Sequence, residues 1–319
     1  MESTITIQNL ANTARAYPEL TPIMGVGGFT QEPALSIAND VMQKMLAVGM
    51  NFKFNRANAT PFLTNTLQQD YITSITNLSW LELAWRTDIN NTAEPLPTYP
   101  METVRDLPKT FRQNNSPFQL SWLPNALAIY GTWQALTSYP TGLGQAQTPA
   151  SPIQQFIDAN GNFLYVSTNG ISGAVAPAAP ASSAAGVTVV DGTVTWKVAD
   201  PSGVAFRILP LPANSGIVWQ INPVYQKKPP ILTSLQNTIS PIPDEFGYLF
   251  RQGFITMCYG HAGSTKFKEA YAIWEEMLFT AMRSADRETE NNAFFPSESI
   301  MGGGSGLGVG YPIGPAYPF

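Results

Sequence analysis

Residues 219–258 read WQINPVYQKKPPILTSLQNTISPIPDEFGYLFRQGFITMC, and this stretch decides the fold. Trp219, Ile221, Pro223 and Tyr225 alternate with polar neighbours, the period of a half-buried strand. Pro229 and Pro230 donate no ladder hydrogen bonds, so the strand ends there. After a polar loop, Asp244 and Glu245 follow Pro243 and suit a helix start, where carboxylates meet free amides and the positive end of the dipole. Phe246, Leu249, Phe250, Phe254, Met257 and Cys258 then recur at helical spacing. A strand that stops and hands over to an amphipathic helix marks a chain with separate β and α regions.

Composition narrows the class. The chain has 319 residues, enough for one large domain or two to three smaller ones, and can bury a sizeable core. Hydrophobic residues make up 44%, but charged residues only 12%, against the ~25% of an average soluble domain. Interface centres are depleted in charge, so the deficit points to obligate assembly; a polar, uncharged surface of Asn, Gln, Ser and Thr is the alternative account. The net charge of −5 argues against a protein that grips nucleic acid, which needs clustered cations; Lys227-Lys228 is too small a cluster. Cys258 is the single cysteine, so no intramolecular disulfide forms, and its place in an apolar stripe marks it as a small hydrophobe. Neither a signal peptide nor an apolar run of bilayer length is recognisable, so we expect synthesis in the cytoplasm and no membrane partner.

Along the chain, a Gly25–Gly28 bend precedes a helix expected over Pro33 to about Val48, with Thr30 able to cap it and Leu35, Ala38, Val41, Met42, Met45 and Leu46 on one face. Short β-favouring segments follow between about 50 and 135 and again at 204–228, with a short helix near Met101–Asp106. Residues 151–200 read as an inserted β module. Asn160-Gly161 and Asp191-Gly192 turn two hairpins, and the linker AVAPAAPASSAAG reads as flexible and low in complexity. A second helix hairpin partner is expected over 264–290, after a loop at Gly260–Gly263. The fold class is therefore α+β. A helical bundle of N- and C-terminal helices (33–48, 243–258, 264–290) joins an antiparallel β-sandwich or barrel carrying the inserted module. Residues 1–150 and 201–300 form the core and 301–319 a Gly-rich arm.

Chemistry-bearing residues are sparse. His261, the only histidine, lies in a glycine-flanked loop without a second histidine or cysteine to complete a metal site. The glycine runs at 25–28 and 302–310 carry no Gly-Lys-Ser/Thr and do not open a helix after a strand, so they make no phosphate loop. Asp158–Asn162 is superficially like a calcium loop, but Phe163 stands where glycine is required. Asp286, Glu288 and Glu290 alternate with Arg283 and Arg287 at ion-pair spacing on a solvated helix face. Trp80, Trp85, Trp122 and Trp133 lie in strand context and read as core or subunit-interface residues before sugar-stacking ones. We expect no catalytic, cofactor or metal site.

The order strand, Pro-Pro, loop, PIPDEFG, helix in residues 219–258 resembles the C-terminal part of the head-to-tail adaptors of tailed bacteriophages, including the tail tubular protein A type of short-tailed phages. The 33–48 helix running into the aromatic segment MNFKFNRANATPF extends the resemblance. The hairpins ending in VDGTVTW resemble small β modules of virion and carbohydrate-active proteins. The resemblance implies a homo-oligomeric ring, dodecameric in that family, in the neck of a virion. The portal protein would lie above it and tail or nozzle proteins below, with DNA passing through the lumen during ejection. Two alternatives stay open: a surface module that contacts glycans through the inserted β domain, and a wall-degrading enzyme. Terminal segments of adaptor-like proteins lock onto a neighbour, and the arm 301–319 holds seven glycines and the rings of Tyr311, Tyr317 and Phe319, our candidate inter-subunit contacts. Each large ring docked in a pocket stabilises by about 1.5–3 kcal/mol. Deleting 301–319 is therefore expected to weaken attachment to the ring or portal while leaving the subunit's melting temperature unchanged; assembly at full strength without the arm would contradict this.

Overall fold

The computed structural model describes residues 3–21, 32–47, 50–65, 68–87, 92–99, 113–114, 119–139, 153–209, 211–212 and 218–292, without side chains at 113–114, 211–212 and 283–292. The chain is α+β with four helices and several antiparallel sheets, none closed into a barrel among the described residues. It divides into two compact units: Met1–Asn55 together with Pro229–Phe319, and Arg56–Lys228. The arm, with Tyr311, Tyr317 and Phe319, and the expected helix at Met101–Asp106 lie outside the described residues, as do Thr30 and Gly25–Gly28.

The helical unit contains α1 (Ile7–Arg15), α2 (Ala34–Met45), α3 (Gly247–His261) and α4 (Phe267–Asn292). In α1, Ile7, Leu10, Ala11 and Ala14 fall on one stripe and are all buried, and the Thr6 hydroxyl caps the start by accepting from the Asn9 amide. That helix occupies part of a segment whose sequence marks it only as apolar. α2 buries Leu35, Ala38, Val41, Met42 and Met45 as the spacing requires. Side chains from all four helices and from Leu232, Leu235, Ile239 and Ile242 share one core. Two contacts fix α3 against α4. The Trp274 indole donates to the Leu249 carbonyl at 3.0 Å, and the Thr256 hydroxyl donates to the Ala270 carbonyl at 3.3 Å. Gly253 makes the approach possible, because a Cβ there would sit 2.5 Å from Trp274.

The start of α3 differs from its sequence reading. Asp244–Phe246 forms a 3-10 turn, the helix begins at Gly247, and no side chain caps it. The Asp244 carboxylate instead accepts from the Ser3 hydroxyl at 2.6 Å and from the amide and hydroxyl of Thr4 at 3.0 and 2.6 Å. These bonds, that from Ser3 first, hold its pKa below the usual carboxylate value. A long-range partner thus displaced the local cap. Phe52, Phe54 and Phe246 meet in a ring cluster with centroids 5.0–5.9 Å apart, with Lys53–Asn55 as a 3-10 turn leading into the first strand.

In the β unit, the strands Arg56–Asn58, Gln220–Lys227, Leu78–Thr87 and Ala93–Leu96 pair in that order, all antiparallel, with Phe62–Leu63 also on Gln220–Lys227. A second sheet orders Asp70–Ile72, Val204–Leu209 and Gln119–Pro124. Leu78, Leu81 and Ala84 of the first sheet share a core with Leu120, Phe206 and Ile208 of the second. The strands Thr188–Asp191, Val194–Ala199, Phe163–Thr168 and Gln155–Ile157 form a separate four-stranded sheet. Gly161 and Gly192 take φ of +80° and +63°, as tight hairpin turns require. Trp196 and Leu164 centre its core, which also takes in Trp133 and Tyr139, so its packing begins well before residue 151. The linker is held, not loose. Ala179 is fully buried, with its amide on the Asp158 carboxylate at 2.8 Å and its carbonyl accepting from the Asn160 side chain at 2.6 Å. A backbone poor in side chains has been pinned by turn residues 20 positions earlier.

Gly253→Ala is expected to lower the unfolding free energy by about 1–3 kcal/mol, the range for overpacking. Urea titration measures it; an unchanged midpoint would show that Trp274 yields freely.

Candidate functional site

The structure places His261 and Cys258 on one helix, at its end and inside its core face. His261 is the exposed last residue of α3. Cys258, one turn earlier, is fully buried, and burial pushes its thiol up to about 12, so it remains a protonated core residue. Among the described residues no group of three His, Cys, Asp or Glu side chains stands close enough to hold a metal ion. The side chains of Asp286, Glu288 and Glu290 lie outside the described residues. No helix among the described residues is long and apolar enough to cross a membrane.

The acidic residues of the hairpin turns act as clamps. Burial opposes ionisation of Asp158, yet hydrogen bonds from Asn162, Ala179 and Asn160 outweigh it and hold its pKa below the usual carboxylate range. Asp191 accepts from the indoles of Trp133 and Trp196 at 2.8 and 3.1 Å and from the Gly173 amide at 2.6 Å. One buried carboxylate therefore ties Trp133 and Gly173 to the hairpin that holds Asp191 and Trp196. The same bond answers the question Trp133 posed: its polar edge is committed inside the module. Trp80 and Trp122 are half-buried, and Trp85 is the one of the four with substantial exposure, at 39%. The Arg86 guanidinium lies 5.0 Å from the Trp219 ring centroid.

A polar network lies where the small sheet meets the strand Asp70–Ile72, and sequence reading missed it. Asp70, fully buried, takes a bidentate pair from Arg207 at 2.6 and 2.6 Å and a third bond from the Ile129 amide at 2.8 Å. Gln155 bridges the two parts, accepting from the Ile72 amide at 2.9 Å and donating to the Ile129 carbonyl at 2.6 Å. Gln68 accepts from the Gln154 amide at 2.8 Å and donates to the Asp70 carbonyl at 2.9 Å. The available signal was Arg207, a lone cation inside the apolar run VAFRIL; its partner lies 137 positions away, beyond any local pattern. Above this network opens a cleft of about 390 Å³, bordered by Phe62, Tyr71, Gln154, Tyr165 and Lys197. Among the described residues no Asp, Glu, His or Cys lines it. It offers amides, hydroxyls, rings and one ammonium, a set that can hold a neutral or weakly anionic polar ligand but supplies no general acid–base pair. Tyr71, its most buried phenol, has its pKa pushed well up by burial and is committed to the Gln68 carbonyl.

The chain matches no protein-family model and no curated protein.

Removing one member of a buried ion pair leaves an uncompensated charge. Arg207→Met is therefore expected to cost about 3–5 kcal/mol of stability. Asp70→Asn added to it should restore at least half, since the amide oxygen still accepts from Ile129. Equal stability of single and double variants in chemical denaturation would contradict a charge-based role.

Proposed function

We propose that this chain is a structural subunit that forms a ring in the neck or tail of a bacteriophage virion, joining the capsid portal to the tail and leaving an axial channel for DNA. The observation that carries the reading is the chain's layout. Helices from both ends share one core, and the entire β unit is inserted between Asn55 and Pro229. The return into the helical unit runs through the residues that resemble the adaptors, Pro229-Pro230 to PIPDEFG. In this reading the helices act as a bundle that faces the portal and the two larger sheets act as a sandwich directed towards the tail. The core shared by Leu81, Leu120 and Phe206 supports the latter. Low charge suits a subunit that is mostly interface, and a net charge of −5 suits a lumen along which DNA slides without adhering. The work is geometric and needs no cofactor. The stoichiometry belonging to this reading is a dodecamer, with the portal and the tail or nozzle proteins as partners.

A second reading, a glycan-contacting module, is favoured by the cleft beside Tyr165 and Lys197 with its lining of amides, hydroxyls, rings and one ammonium. Particle mass separates the two. Native mass spectrometry, with portal protein added where needed, should give a cyclic oligomer of defined mass. A chain that stays monomeric alone and with its partners contradicts the ring, and glycan affinity in that monomer would favour the second reading.

A further inference from the structure

One face of the small sheet carries a row of side chains across three strands. Gln155, Tyr165 and Lys197 stand opposite one another on Gln155–Ile157, Phe163–Thr168 and Val194–Ala199, so all three point to the same side. Their neighbours Phe156, Leu164 and Val198 point the other way, into the core around Trp196. Gln155 is held in the Asp70 network, which fixes one end of the row. Tyr165 and Lys197 are half-buried and border the cleft of about 390 Å³, a volume within the ~300–1,000 Å³ of ligand pockets. Among the described residues Lys197 forms no ion pair, although its surroundings take it partly out of water. Gln154 lines the same cleft, and its side-chain Nε2 is buried without a hydrogen-bond partner among the described residues. Both donors gain from an acceptor brought into the cleft.

The chemistry of the walls narrows the occupant. A nucleotide brings several negative charges, and Lys197 is the single cation among the lining residues. An added peptide strand needs free main-chain groups at a sheet edge. The strand Asp70–Ile72 is such an edge, but the Ile72 amide is bonded to the Gln155 side chain and the Asp70 carbonyl to that of Gln68. A wholly apolar ligand would leave the ammonium and the amide unmet. A hydroxyl-rich ring with one carboxylate answers all of them, since Phe62 and Tyr165 add apolar surface and Thr60 and Ser74 add exposed hydroxyls.

We propose that this cleft binds a carboxylate-bearing sugar, a hexuronate or sialic acid unit of a glycan. Lys197 pairs with the carboxylate, the Tyr165 ring packs on the apolar face of the sugar, and Gln154, Thr60 and Ser74 bond its hydroxyls. The site goes beyond the ring and rests on the glycan-contacting reading, to which it gives a place and a ligand class.

The test titrates the full-length chain with oligosaccharides of galacturonic acid, glucuronic acid and sialic acid, and with the same compounds after carboxyl reduction, followed by NMR. At least one acid should bind about tenfold more tightly than its reduced form, the effect of one charge-assisted contact. Lys197→Met should erase that difference while leaving the melting temperature and the affinity for the reduced sugar unchanged. Lys197→Arg, which returns a cation, should restore it. Tyr165→Leu keeps apolar bulk against Ile72 and Ala205 and should weaken binding of the acid and its reduced form alike. A preference for the acid that survives Lys197→Met, equal affinity for acid and reduced sugar, or unchanged binding by Tyr165→Leu overturns this site and leaves the glycan-contacting reading standing. Failure of every sugar to bind the unaltered chain overturns both.

Discussion

The main-chain pairing of Ile5–Gln8 with Leu235–Ile239 is the constraint on which the helical unit depends. The Ile7 and Gln8 amides donate to the carbonyls of Asn237 and Leu235 at 3.1 and 2.9 Å, and the Ile239 amide donates back to Ile5 at 3.0 Å. Residues more than 220 positions apart are thereby fixed side by side, and the Asp244 clamp on Ser3 and Thr4 closes the next step of the ladder. α1 and α3 both grow out of this pairing. Their apolar stripes then have to bury against one another and against α2 and α4, because none can bury its stripe alone. Closing so long a loop carries an entropic cost that only a large shared core offsets. The β unit inside the loop has its own cores, which makes the excursion tolerable.

What the sequence disclosed and what it concealed separate along the distance of the interaction. Periodicity is local: the alternation from Trp219 to Tyr225, the stripe in α2 and the Asn-Gly and Asp-Gly turns are all visible within a dozen residues; the helix and the turns have the conformation their patterns imply, while the strand runs Gln220–Lys227 and is buried on both faces from Pro223 to Gln226, not half-buried. Asp244 follows the local rule for a cap, yet Ser3 and Thr4 outcompete the helix for its oxygens. Ala179 sits in a segment with no side-chain signal whatever, and its order comes from Asp158 and Asn160. Asp70, Gln155 and Arg207 are ordinary residues one by one; only the topology brings them together. The α1 helix shows the intermediate case. Its stripe is short and built partly of alanine, so the pattern is faint until its partners are known.

The candidate site follows the same division. The sequence pointed away from catalysis because its single histidine and single cysteine leave no constellation to assemble; in the structure His261 ends α3 at the surface and Cys258 lies in the helical core. The sequence was silent on surface features, since exposure is a property of the folded chain. Leu136 and Val190 look like core residues in the sequence and stand in solvent. Leu127 does the same. The chain thus combines a charged content of 12% with exposed aliphatic side chains at Leu127, Leu136 and Val190.

Electron cryomicroscopy of the purified assembly tests the central claim most directly. The account predicts a cyclic particle with an open axial channel wide enough for duplex DNA. A particle of two-fold symmetry without a channel, or isolated subunits in the presence of the portal partner, would contradict it.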